Sequence, residues 1–158
     1  MRVTEHFTID EFACRDGTPY PLNGTEDDPG DWFLERLTPL CESLEVIRTA
    51  AGGAPIIIDS GYRTLAYDQR LYDASAHDGL VATPQGSQHP KGRAADIRHG
   101  WLPPAELHRL IGVLLAVGEL PRVGGVGLYP RFVHIDVRPR PPSGHVAQWG
   151  GARLSNVA

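Results

Sequence analysis

The sequence has no apolar run near the roughly 18 residues that a membrane span requires. Its longest, Leu110 to Val117, has eight residues and includes Gly112. It has no run of basic residues either. With 15 Lys plus Arg against 19 Asp plus Glu and a net charge of −4, no segment can neutralise a row of phosphates, so nucleic-acid binding is not expected. Cysteine is scarce: Cys14 and Cys41 are too few for a disulfide framework and lack zinc-ribbon spacing. Cys41 reads as a small apolar residue buried on a helix, and a bridge to Cys14 stays open. Met1 to Phe7 lack the apolar stretch of a secretory signal. The expectation is a protein that is cytoplasmic when made and does not enter a membrane. There are no internal repeats and no linker.

What is present suits an ordinary folded chain. The length of 158 residues fits one domain of about 100–200 residues, long enough to bury a real core. An apolar share of 41% with 22% charged residues excludes a disordered chain. The expected organisation is a single domain over 1–158. Residues 1–30 form a turn-rich N-terminal docking segment that buries Phe7 and Phe12, and 139–158 form a Pro/Gly-rich tail.

From Asp31, a candidate N-cap, the residues Phe33, Leu37, Leu40, Leu44 and Ile47 recur at steps of four and three, which makes one helical face. Pro39 predicts a kink, or a helix that begins nearer Thr38, and Gly52-Gly53 a stop. Pro55 to Asp59 reads as a buried strand and Ser60 to Arg63 as the turn out of it. Thr64 to Ala74 reads as a helix anchored by Leu65, Leu71 and Tyr72. His77 to Arg93 reads as a long functional loop and Ala94 to Arg98 as a strand. Pro103-Pro104 open a helix to about Gly118, with Leu107, Leu110, Ile111 and Leu114 inward. Strands follow near Gly125–Tyr129 and Phe132–Val137, and Trp149 is the one large anchor of a tail expected to lie over the domain as a lid. The fold class is α+β, with a small, mostly antiparallel sheet flanked by helices.

Three features converge on one kind of chemistry. In Ser87-Gln88-His89-Pro90-Lys91-Gly92-Arg93-Ala94-Ala95-Asp96, an imidazole and a carboxylate lie seven positions apart across a glycine. In Phe132-Val133-His134-Ile135-Asp136, His134 and Asp136 share one strand face. His89, Asp96 and His134 together make a two-histidine, one-carboxylate set that suits Zn²⁺ with a fourth position open. Arg63, at a strand-to-helix turn, can meet a carboxylate or a polarised carbonyl. Asp136 is a candidate proton acceptor, or a carboxylate that supports the metal ligands.

Ser87-x-His89-x-x-Gly92-x-Ala94-x-Asp96 resembles, position for position, the signature of the zinc D-alanyl-D-alanine peptidases. This family includes D,D-carboxypeptidases, D,D-dipeptidases and phage endolysins that cut peptidoglycan peptides. "HFTIDEFACRDG", "LCESLEVIRTAAG", "SGYRT" and "GVGLYPRFVHIDVR" are similar to its D,D-carboxypeptidase subgroup, so the likeness covers roughly residues 6 to 138. The resemblance implies a hedgehog/D,D-peptidase-like fold and a zinc metallopeptidase acting on peptidoglycan or D-Ala-D-Ala-type peptides through a zinc-activated water; a single catalytic domain needs no partner to work, so a monomer is expected. It implies His89, Asp96 and His134 as zinc ligands, Arg63 as a catalytic and substrate-orienting residue, and Ser87 as a substrate-binding one. The chain departs from the pattern at the general base. Arg131 stands where some relatives carry a glutamate, and Phe132 where others carry a first histidine, which leaves Asp136 as the nearest acid. The alternative reading is a zinc-containing, weakly active or inactive cell-wall-binding component of a phage or secretion particle. For a wall-active protein without a recognisable signal, release by lysis, delivery in a phage-like particle, an unrecognised export route, or hydrolysis of small dipeptides in the cytoplasm each fit, and the sequence does not choose among them.

Overall fold

Pro39 brings no N–H to a helical ladder, and the chain accommodates it with two kinds of helix. In the computed structural model, which describes residues 1–74 and 86–150, Phe33–Leu37 is a π-helical turn and Thr38–Ala50 is the α-helix α1. The Phe33 carbonyl accepts from both the Thr38 N–H and, at 2.8 Å, Thr38 Oγ1. Asp31 caps the start, its Oδ1 accepting from the Leu34 N–H at 3.0 Å. Leu37, Leu40, Leu44 and Ile47 are fully buried, as the periodicity predicts, and the helix ends just before Gly52-Gly53. Cys41 is buried on α1, and both it and Cys14 are free thiols.

The sheet holds β1 (Ile56–Ser60), β2 (Ala94–His99), β3 (Gly125–Leu128), β4 (Val133–Asp136) and β5 (Ala147–Trp149), in the order β1-β2-β4-β3-β5. All neighbours are antiparallel except β3 and β5. On one face Ile56, Ile58, Ile97, Val126, Val133 and Ile135 enter the core with α1 and the helix α3 (Pro104–Ala116). In α3, Leu107, Ile111 and Leu114 point inward with Leu110 half-buried. Asp96, His134 and Asp136 alternate to the opposite face, where the site forms. The 3₁₀ turn Ile9–Phe12, closed by a Thr8–Glu11 capping box, buries Phe7 and Phe12 as expected.

Two expectations fail. The helix α2 (Leu65–Ala74) is present, but Leu65 and Leu71 are not core anchors: they are 65% and 37% exposed, and the buried residue is Asp68. The helix lies against the turn His89–Lys91 and reaches the apolar core through the half-buried Tyr67. The tail does more than lie over the domain as a lid, because its residues 147–149 add an edge strand parallel to β3. Positions 77–85 of the expected loop and 151–158 of the tail lie outside the described residues. Among the described residues no helix is long and apolar enough to cross a membrane.

Candidate metal centre

Register brings the site together. Asp96 on β2 sits directly opposite His134 on β4, and β3 answers with Gly127 opposite His134 and Gly125 opposite Asp136. Neither glycine has room for a side chain. A Cβ on Gly125 would strike the Asp136 carboxylate, and one on Gly127 the indole of Trp149. His89 arrives from the short 3₁₀ turn His89–Lys91, which Gly92 ends in the left-handed region at φ 65°. A Cβ there would also run into Trp32, which packs edge-on with Tyr20 and Tyr62 beneath the turn. The Tyr20 hydroxyl donates to the Gly92 carbonyl at 2.6 Å. Aromatic packing beneath the turn thus holds His89 in place.

His89, Asp96 and His134 are buried, and one donor atom from each lies within 4.8 Å of the other two. The outer partners fix the tautomers. His89 Nδ1 faces the Gly61 carbonyl at 2.6 Å and must donate to it, which leaves a lone pair on Nε2. His134 Nε2 faces Asp136 Oδ2 at 2.8 Å and must donate to it, which leaves a lone pair on Nδ1. Both lone pairs point at Asp96 Oδ1, from 3.2 and 3.1 Å. Three acceptors meeting in a dry place repel one another unless a cation sits among them. A proton can relieve one ring at a time, whereas a metal ion satisfies both, so the donor set fits Zn²⁺.

The three groups also shift one another's charge. Burial holds the His89 imidazole below its usual pKa, with Arg63 adding to the effect. Burial alone would raise the Asp96 carboxyl, but the two facing imidazoles outweigh it and hold Asp96 well below the carboxylate range. His134 is pushed up against its burial by the carboxylates on either side of its ring.

Arg63 leaves the turn after β1 and donates to Ser60 Oγ at 2.9 Å, Asp68 Oδ1 at 3.1 Å and Asp96 Oδ2 at 2.8 Å. It therefore fixes the ligand carboxylate by its second oxygen and borders the cleft. Ser87 Oγ approaches Asp68 Oδ1 at 3.4 Å and borders the same cleft, a space of about 150 Å³. Asp136 lies elsewhere. Its carboxylate is 0% exposed, sits on the remote nitrogen of His134, and is gripped by Arg138 through Nε at 2.8 Å and Nη2 at 2.6 Å. These bonds overcome the effect of burial and keep it well below the usual carboxylate pKa.

Sequence reasoning did not single out Asp68, Arg138 or a cleft role for Trp149. Asp68 sits in a helix with little apolar patterning, and Arg138 and Trp149 reach the site only through strand pairing. The Trp149 ring lies 5.1 Å from that of His134, with Arg138 over its face at 5.2 Å. Its Nε1 donates to the Tyr129 hydroxyl at 2.8 Å, and Tyr129 stacks on Phe132. These rings form an apolar wall of the cleft. Tyr62 packs in the core, His99 turns to the opposite face of the sheet, and Asp59 pairs with Arg98.

No curated protein matches the chain. The sequence model of peptidase M15 does match it, over residues 5–136, which take in the docking segment, the Arg63 turn and all three candidate ligands. The chain therefore belongs to the M15 family of zinc peptidases.

Proposed function

We propose that this protein is a zinc-dependent peptidase that hydrolyses peptide bonds of peptidoglycan stem peptides, as a D,D-carboxypeptidase or an endopeptidase. The observation that carries the reading is the convergence of His89 Nε2, Asp96 Oδ1 and His134 Nδ1 beside a cleft bordered by Arg63. Zinc held by these three residues supplies Lewis-acid polarisation of a carbonyl and activates water near neutral pH. Arg63 spends three of its five donors on Ser60, Asp68 and Asp96, and the remaining two serve a substrate carboxylate or the charge growing on the scissile oxygen. Ser87 lines the substrate end of the cleft, and the Trp149, Tyr129 and Phe132 wall excludes water around the reacting bond.

Asp136 takes the supporting role in this reading, not that of proton acceptor in the cleft. It accepts from His134 Nε2 and so holds the tautomer that frees Nδ1 for the metal.

Elemental analysis of the purified protein, followed by digestion of muropeptides read by mass spectrometry, tests the proposal. It predicts about one zinc per chain, lost in His89→Ala, together with release of D-alanine or of a cut cross-link. Stoichiometric zinc without cleavage of any muropeptide favours a wall-binding component instead. No zinc even after adding it back refutes the metallopeptidase.

A further inference from the structure

A second concavity, of about 370 Å³, opens beside the metal cleft and is lined by Arg36, Arg93, Arg122, Arg138 and Arg140. No sequence segment is basic; the fold gathers these five side chains from four separate places. They come from the π-helical turn, the residue before β2, the connection between α3 and β3, and the chain leaving β4. Arg138 lines both spaces.

The charges within it do not cancel. Arg36 is ion-paired with Asp28 at 2.9 Å, and Arg138 with Asp136. Arg140 spends its bonds on two neutral carbonyls, those of Val123 and Leu120, each at 2.7 Å. Arg93 and Arg122 have no carboxylate partner among the described residues. The one acid in the lining is the exposed Glu35. Three unneutralised guanidiniums against one glutamate leave two positive charges, in a protein whose net charge is −4. Arg93 is half-buried and pinned by its backbone, its N–H to the Gln88 carbonyl and its carbonyl to the Val137 N–H. Burial and then the charge of Arg36 disfavour its cationic form, only partly offset by Asp28 and Asp136 at longer range, and a bound anion would add to that offset.

We infer that this concavity is an anion site for a phosphate group. The guanidinium fork matches phosphate oxygens in pairs. A phosphate monoester carries about −1.5 to −2 charges near neutral pH, which balances the surplus where a single carboxylate does not. The inference does not rest on the peptidase reading, because Arg93 and Arg122 touch no candidate metal ligand.

The test is calorimetric titration of zinc-loaded wild-type protein with inorganic phosphate at constant ionic strength set by chloride, beside the variant Arg93→Gln/Arg122→Gln. The expected result is saturable binding that weakens at least tenfold in the double variant, whose zinc content and melting temperature stay those of the wild type. Glycerol phosphate and a short polyphosphate extend the titration. Equal affinity for glycerol phosphate identifies a terminal phosphate as the ligand, and a large gain for polyphosphate identifies an extended anionic chain. Phosphate affinity unchanged in the double variant places the anion at the metal or nowhere specific and overturns the inference. So does an equal response when chloride replaces phosphate.

Discussion

His134 has a carboxylate on each ring nitrogen, and the two have different tasks. Asp96 shares the metal side and Asp136 the remote side, where Arg138 clamps it by two charge-assisted bonds. Replacing Asp136 with Asn keeps the size but releases Arg138 and removes the preference for a proton on His134 Nε2. Partners of this kind affect metal affinity by about 10–100-fold when changed. For Asp136→Asn we expect zinc affinity, measured by competition with a chelating dye, to fall within that range, with activity restored in part by excess zinc. Were Asp136 instead the proton acceptor of the reaction, activity would collapse while zinc affinity stayed at the wild-type value.

Among the elements, the N-terminal segment shows how a short piece without a core of its own is held. Phe7 and Phe12 supply the apolar contact. Glu45 on α1 collects the Thr4 hydroxyl at 2.7 Å, the His6 N–H at 2.7 Å and the His6 ring at 2.8 Å. Burial pushes the Glu45 carboxyl up, but the bonds from His6 and Thr4 prevail and leave it below its usual pKa. An acid depressed in the folded state stabilises fully above its unfolded value, about 4.3, and loses that contribution as pH falls through the lower folded value. The gap in urea midpoint between wild type and Glu45→Gln should therefore be widest near pH 6 and shrink steadily below pH 4. A gap that is the same at pH 6 and pH 3.5 would show that the carboxylate charge contributes nothing there.

The same elements show what a sequence can reveal. α1, α3, β1 and β4 were legible because each buries one apolar face, and periodicity reports burial. The convergence of His89, Asp96 and His134 was legible because His89 and Asp96 are close in sequence and His134 lies on a recognisable strand. β5 was not, since three residues of a polar tail carry no local signal and their pairing with β3 is long-range. α2 misled for the opposite reason. Its leucines suggested a core face, but the helix turns Asp68 inward to hold Arg63, and a buried acid leaves no hydrophobic trace. The arginine-lined concavity was invisible for the same reason as β5, because four dispersed segments build it only once folded.

Across the whole molecule, the three candidate metal ligands stand on separate elements that meet over one apolar core. His89 stands on the turn that packs against α2 and over the Tyr20, Trp32 and Tyr62 cluster, Asp96 on β2, and His134 on β4 beside the late strand β5. Without a cation, three acceptor atoms oppose one another at the junction of these parts, so the site costs stability that the bound ion returns. An ion that binds only the folded state adds about 2.7 kcal/mol when its free concentration is a hundred times its Kd. For a chain of this length each kcal/mol moves Tm by about 2–4 °C, so chelation should lower Tm by roughly 5–10 °C and added zinc should restore it. His89→Ala should melt near the temperature of the chelated wild type and ignore zinc, because two ligands no longer hold the ion. If both proteins gain equally on adding zinc, the ion binds elsewhere, and the convergence of His89, Asp96 and His134 is not what organises this side of the sheet.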